Sequence, residues 1–155
     1  MALFLSTYVN KIDKKGRVSV PAPFRASINT QNFAGVILFR SPTYNCIEGF
    51  DQSTMLELSN RLDRFDLFSS AQDDLATTIF AEAVPCGFDS EGRISIPESF
   101  LLHARMSEGA MIVGLGKKFQ IWDPELFAQR QEEARLSVKT KGLTIPNNLP
   151  ASDGG

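Results

Sequence analysis

Hydrophobic and polar positions along this chain follow a pattern that occurs twice. Apolar and polar side chains alternate through Val18-Ser19-Val20 and again through Ile94-Ser95-Ile96, the period of a half-buried strand. The likeness spreads outward from both. Asp13-Lys14-Lys15-Gly16-Arg17 precedes the first strand and Pro21-Ala22-Pro23-Phe24 follows it, while Asp89-Ser90-Glu91-Gly92-Arg93 and Pro97-Glu98-Ser99-Phe100 frame the second, 76 positions on. Gly35 to Phe39 then parallels Ala110 to Val113, and Ile47 to Asp51 parallels Phe119 to Asp123 at an offset of 72. The first copy therefore carries about four extra residues, most simply in the Ser41 to Asn45 turn. The chain is two tandem copies of one unit, and such a period governs the fold to be expected.

Each copy predicts the same elements. Asp-x-x-Gly-Arg is turn chemistry, because Asp closes an Asx turn on its own backbone and Gly accepts positive φ. Pro21 and Pro97 stop the strand and open a short helix, on which Phe24 with Ile28, and Phe100 with Ala104, share one face. A hairpin follows, Gly35 to Phe39 with Cys46 to Phe50, and Met111 to Leu115 with Phe119 to Trp122, the second turning through Gly116-Lys117-Lys118. A helix closes each copy. In the first, Thr54 to Glu57 has the form of a capping box and Met55, Leu58, Leu62 and Phe65 make an amphipathic stripe. In the second, Asp123 is the N-cap with Pro124 at the first helical position, ahead of Leu126 and Phe127. Between the copies, Ser70 to Ala81 reads as a helix with Leu75, Ile79 and Phe80 inward.

The resulting division is a first repeat with its closing helix at 1–68, a linking helix at 69–82, a second repeat with its helix at 83–138, and an aperiodic tail at 139–155 expected to be disordered. The class is β+α, mainly β with peripheral helices. Four short strands leave edges that must be paired or covered. A tandem duplicate solves this by interlocking two units about a pseudo-twofold axis, as a homodimer does with two chains.

Composition changes this picture in one respect. Of 155 residues, 43% are hydrophobic, with twelve Phe, enough for a sizeable core. Sixteen Lys and Arg against eighteen Asp and Glu leave a formal charge of -2, which taken whole is unlike a nucleic-acid binder. Residues 1–40, however, hold six cations and one anion, a net +5, and residues 41–155 hold ten cations and seventeen anions, a net -7. Such asymmetry points to an anionic partner, although charge alone favours a solvated patch with no partner. Apolar runs fall short of the ~20 residues of a membrane span and no signal peptide is evident, so a cytoplasmic protein is expected. Cys46 and Cys86 form no CxxC pattern and read as buried small hydrophobes.

Enzymatic constellations are thin. His103 is the only histidine, and no nucleophile elbow or convergent acid and base accompanies it. Asp73-Asp74 are adjacent and would point about 100° apart on a helix, which suits a solvated face. Gly114-Leu115-Gly116-Lys117-Lys118 lacks phosphate-loop spacing and reads as a hairpin turn. No catalytic residue, metal ligand, cofactor or small-molecule substrate is expected.

The Asp13 to Pro21 and Asp89 to Pro97 segments, at their 76-residue offset and together with Phe119 to Asp123, resemble the signature of the MraZ family of bacterial transcriptional regulators. The resemblance covers roughly Phe4 to Val138. It implies a pseudo-twofold swapped-hairpin (double-split) β-barrel built from two AbrB-like repeats, within the AbrB/MazE/MraZ-like superfamily. It further implies a nucleoid-associated, ring-shaped homo-oligomer that binds repeated boxes in double-stranded DNA upstream of its own division and cell-wall gene cluster. Two departures stand out. Leu5-Ser6 occupies a site where the family usually has Arg-Gly, and Glu91 stands where a basic residue would help.

On this reading Arg17 bridges O6 and N7 of a guanine, the bidentate major-groove contact, while Lys14 and Lys15 neutralise phosphates and set the register. Asp13 and Gly16, with Asp89 and Gly92, shape the loops. Arg25 suits either a phosphate contact or a subunit interface. Arg93, in a segment from Asp89 to Phe100 with three acids and one Arg, is a weaker candidate than Arg17, so the first loop is expected to make the main contact. An alternative is an oligomeric protein-interaction module of the antitoxin type with little DNA binding.

Overall fold

A computed structural model describes residues 2–28, 30, 32–66 and 68–147. The chain divides into two compact units, Met1–Pro124 and Glu125–Gly155. The first copy supplies β1 (Thr7–Lys11), β2 (Arg17–Ser19), α1 (Ala22–Ser27), β3 (Gly35–Arg40), β4 (Ile47–Phe50) and α2 (Gln52–Leu62). After α3 (Ser70–Ile79), the second copy supplies β5 (Val84–Gly87), β6 (Arg93–Ser95), α4 (Glu98–His103), β7 (Gly109–Gly114) and β8 (Phe119–Trp122), and α5 (Pro124–Lys141) follows.

The copies exchange strands. Six antiparallel strands form one sheet in the order β1-β7-β8-β4-β3-β5, and β2 pairs with β6 in a separate ribbon. Strand β1 of the first copy lies beside β7 of the second, and β5 of the second beside β3 of the first. The hairpins meet at β4 and β8, where Glu48 faces Gln120. Exchanging the copies reverses the strand order onto itself, the pseudo-twofold arrangement the repeat predicts. A sheet flanked by helices is the expected β+α class.

Side-chain alternation assigns the faces. Val36 and Leu38 of β3 join a main core with Val18, Ile94, Ile112, Phe119 and Ile121. Ile37 and Phe39 face the other way, packing with Phe50 of β4 and Met55 of α2, and the Phe39 and Phe50 rings stack 5.5 Å apart. Burial on both faces is why this segment reads as an unbroken apolar run.

The amino terminus is built into the second copy. Phe4 and Gly116 exchange backbone hydrogen bonds of 2.7 and 2.9 Å, and the Gly114 N–H donates to Ser6 O at 2.8 Å. A Cβ on Gly114 would lie 2.6 Å from the Phe4 and Leu5 backbone, so glycine permits the approach. The Phe4 ring, fully buried, sits 5.1 Å from Phe24 of the first copy and 5.1 Å from Phe119 of the second. Ser6 has φ of 74°, a conformation that suits glycine.

Several expectations shift. Asp51, not Thr54, caps α2: its Oδ1 accepts from the Thr54 N–H at 3.1 Å, and Ser53 Oγ donates to Oδ2. A carboxylate at the end of β4 reaches the first-turn amides before Thr54 can. Pro21 and Pro97 stand at the N-cap positions of α1 and α4, one residue ahead of the predicted place. Phe65 lies beyond the end of α2 and is exposed, as is Leu75 on α3. Ile79 and Phe80 do turn inward onto the second cluster, because only the carboxyl end of α3 reaches it. Asp73 and Asp74 are exposed, Asp73 lying in the first turn of α3. Helix α5 continues past Val138 to Lys141. There Gly142, with φ of 63°, and the Leu143 N–H donating to Val138 O at 3.1 Å form a Schellman-type stop. The disordered tail expected at its far end lies outside the described residues from 148 onward.

Candidate nucleic-acid interface

Each Asp-x-x-Gly-Arg segment folds as a closed loop around its carboxylate. Asp13 Oδ1 accepts the Lys15 and Arg17 backbone N–H groups at 2.9 and 2.8 Å, and Oδ2 takes the Arg17 Nε at 2.7 Å. The second loop repeats the set: Asp89 Oδ1 accepts from Glu91 N and Arg93 N, both at 2.9 Å, and Oδ2 from Arg93 Nε at 2.9 Å. Gly16 and Gly92 complete the turns at φ of 77° and 75°. The Arg17 backbone N–H, first among the causes, holds the Asp13 carboxyl below its ordinary value, and the Arg93 N–H does the same for Asp89.

The ribbon fixes where these loops point. Arg17 pairs with Ser95, Val18 with Ile94 and Ser19 with Arg93. Cross-strand partners share a face, so Val18 and Ile94, each 1% exposed, anchor one side in the core. Arg17, Ser19, Arg93 and Ser95 occupy the other. The loops also clamp each other, the Val20 N–H donating to Gly92 O at 3.1 Å and the Ile96 N–H to Gly16 O at 2.9 Å. Two arginines thus stand on one exposed face, each set by an aspartate of its own loop.

The two ends differ chemically. Lys14 and Lys15 are exposed at the tip of the first loop, and the Arg17 ion pair with Asp13 uses Nε. Arg93 meets three carboxylates: Asp89 at 2.9 Å through Nε, Glu91 at 2.8 Å through Nη2 and Asp13 at 4.0 Å through Nη1. The Asp89 hydrogen bond, ahead of the other carboxylates, raises the Arg93 pKa.

Arg25 lies against the second loop rather than beside Lys14 and Lys15. Its Nε donates to Val20 O at 3.1 Å, and a Cβ on Gly92 would come within 2.7 Å of the guanidinium. Gly92 therefore serves both φ and close approach. At the matching place over Gly16 stands Leu101, whose Cδ1 would be 3.6 Å from an added Cβ. Arg25 is the polar member of an otherwise apolar pair of braces.

The remaining candidates hold structural positions. His103 Nε2 lies 3.2 Å from Tyr44 O, and Asn45 Nδ2 donates to His103 O at 3.4 Å. Cys46 and Cys86 are buried, and burial pushes the Cys86 thiol up to about 11. Gly116, at φ of 90°, turns the β7–β8 hairpin, where the Leu115 N–H donates to Lys118 O. A buried polar chain went unseen in the sequence: Gln120 Nε2 donates to both Glu48 oxygens, Trp122 Nε1 to Gln120 Oε1 at 2.8 Å, and Lys118 Nζ lies 3.0 Å from Glu48 Oε1. Its signal was a Glu and a Gln at equivalent positions of two otherwise apolar strands.

Comparison with known proteins finds relatives along nearly the whole chain. The family model described as "MraZ protein, putative antitoxin-like" matches residues 3–77 and 79–148. The chain is 43% identical to a protein of Gluconobacter oxydans named transcriptional regulator MraZ, over 98% of this chain and 95% of that protein. It is 42% identical to one of the same name from Gluconacetobacter diazotrophicus, over 94% and 93% of the two chains, and 43% identical to one from Rickettsia rickettsii, over 95% and 99%. With a family match across nearly its whole length and relatives at this identity, the chain belongs to the MraZ family.

Proposed function

We propose that this chain is a transcriptional regulator that binds repeated boxes in double-stranded DNA upstream of its own division and cell-wall gene cluster, acting as a ring-shaped homo-oligomer. The relatives' name supports regulation of transcription. The observation that carries the DNA reading is the β2–β6 ribbon, whose core side is held by Val18 and Ile94 while its exposed side presents arginines on aspartate-closed loops. A two-stranded ribbon fits the major groove.

In this mechanism Asp13 limits the Arg17 side chain to a narrow set of conformations before DNA arrives. Less rotamer freedom is then lost on binding. Pairing through Nε leaves the two Nη groups to bridge guanine O6 and N7, a contact worth about 1–3 kcal/mol of discrimination. Lys14 and Lys15 take phosphates, which makes affinity fall with salt. Arg25, packed on Gly92, acts mainly as a brace of the second loop.

One protomer offers one basic loop on a chain of net charge -2, and bulk charge gives it no hold on DNA. Assembly supplies what the protomer lacks, because later loops engage direct repeats intramolecularly, with gains of roughly 10² to 10⁴.

The test is a gel-shift titration on the upstream DNA. Arg17→Ala abolishes the specific shift while the oligomer mass is unchanged; retention of full affinity refutes the role of Arg17. Arg93→Ala costs less than Arg17→Ala, and equal losses mean that both loops engage. A co-purifying protein partner with no DNA shift favours the antitoxin-type module instead.

A further inference from the structure

We propose that Glu91 is a latch that withdraws Arg93 from DNA, so that the second loop of each protomer is held in a low-affinity state by its own side chain. This rests on the DNA-binding reading above and adds a residue that tunes it.

The inference comes from comparing two loops that the fold makes nearly superposable. Both have the same Asp bonds to the third and fifth residues, the same Asp–Arg Nε contact and the same positive-φ glycine. Both arginines lie on one face of one ribbon. Two loop positions separate them in charge, Lys14 against Ser90 and Lys15 against Glu91, and only the third places a carboxylate in one of them. Glu91 closes on Arg93 through Oε2 at 2.8 Å from Nη2, and Asp13 stands 4.0 Å from Nη1 across the ribbon. Both Nη groups, the pair a guanine or a phosphate would require, are thereby turned to carboxylates. The Asp89 contact is not the cause, because Arg17 has its equivalent.

Glu91 has no part in closing the loop through its side chain; the turn is made by the Asp89 carboxylate and by Gly92. It is also two-thirds exposed, its side chain at 67%. An exposed ion pair is weak and screened by salt, which suits a latch that DNA must be able to open. Loss of one such pair corresponds to a change in affinity of about two- to five-fold per loop.

The experiment measures binding of the full chain to duplex DNA from upstream of its gene, by fluorescence anisotropy at several salt concentrations, with oligomer mass checked for each variant. Glu91→Gln removes the charge and Glu91→Lys copies the third position of the first loop. Both tighten binding, Gln about two- to five-fold at low salt and Lys further, and the slope of log K against log salt steepens by about 0.9 for each added phosphate contact. The deciding arm is the double variant Glu91→Gln with Arg93→Ala. If Glu91 works through Arg93, its substitution has no effect once Arg93 is gone; a gain of the same size in that background shows simple removal of a repelling charge and overturns the latch. Unchanged or weaker binding of Glu91→Gln overturns it too, and loss of discrimination between operator and scrambled DNA would make Glu91 a reader of cytosine instead. Absence of wild-type binding overturns the DNA reading and the latch together, whereas wild-type binding lost in Arg17→Ala keeps the first and isolates the second.

Discussion

Replacing Phe4 with alanine removes a ring that belongs to neither copy alone. Phe4 is 0% exposed and packs edge-on against Phe119 and tilted against Phe24, so the substitution opens a cavity where the amino terminus, α1 and the β7–β8 hairpin meet. Burial of a Phe that cannot be refilled is worth about 3–5 kcal/mol, and its aromatic pairs lie within that figure. For a chain of this length, each kcal/mol moves Tm by about 2–4 °C, giving a fall of roughly 6–20 °C. Phe4→Leu keeps most of the volume and costs about 1–1.5 kcal/mol. Urea titration at fixed protomer concentration measures both, which holds constant any contribution of the proposed assembly to apparent stability. Hydrogen exchange adds location: the amides of Gly114 and Gly116, which donate to Ser6 and Phe4, lose protection first. A loss below about 1 kcal/mol for Phe4→Ala, or unchanged protection in the hairpin, refutes the claim that the first copy's terminus completes the second copy's core.

Three further outcomes follow from the same geometry. Ser6→Gly relieves a serine held at φ of 74° and raises stability by about 0.5–1 kcal/mol, the unfolded-chain entropy of glycine offsetting part of the gain; a destabilised variant contradicts the strain, as read by Tm. Asp13 and Asp89 titrate below their ordinary 3.8, so the stability they add is present above that value and is lost as pH falls through the lowered one. The amide resonances of Lys15, Arg17, Glu91 and Arg93 then shift with midpoints under 3.8, and a midpoint at or above 3.8 contradicts the loop bonding. Cys86, its thiol raised to about 11, resists a thiol reagent at pH 8 until the chain unfolds, and stability declines as pH rises from the ordinary 9.0 toward that value; rapid labelling of the native chain would show the thiol to be accessible.

The legible parts of the sequence share one cause. A loop held by Asp and Gly, a strand of alternating valine or isoleucine and serine, and a Phe three residues past a proline are all local, and each occurred twice. What escaped was marked by distant partners. Strand β1 exposes Val9 and turns Tyr8 toward the core, while Asn10 donates to Ser19 O, so its pattern runs opposite to the hydrophobic code. Strand β5 contains Pro85, tolerated because β5 is an edge of the sheet. Phe65 and Leu75 continue an apolar periodicity past the point where there is a surface to bury it.

The candidate interface divides in the same way. Arg17, Lys14 and Lys15 could be named from the motif, and so could the acidity of the second loop. Arg25 could not be placed, because its neighbour, Gly92, lies 67 positions away and becomes one only when the copies interlock.

By itself, the sequence determined that this protein is a duplicated unit with a charged turn before each short strand, because backbone conformation in turns and alternating strands is set by residues within a few positions of one another. Tertiary structure alone decided that β1 and β5 change partners, that both arginines stand on one face, and that Asp13 of the first loop stands 4.0 Å from the second of them. Those are relations between residues brought together by burying a shared core, and no local propensity contains them.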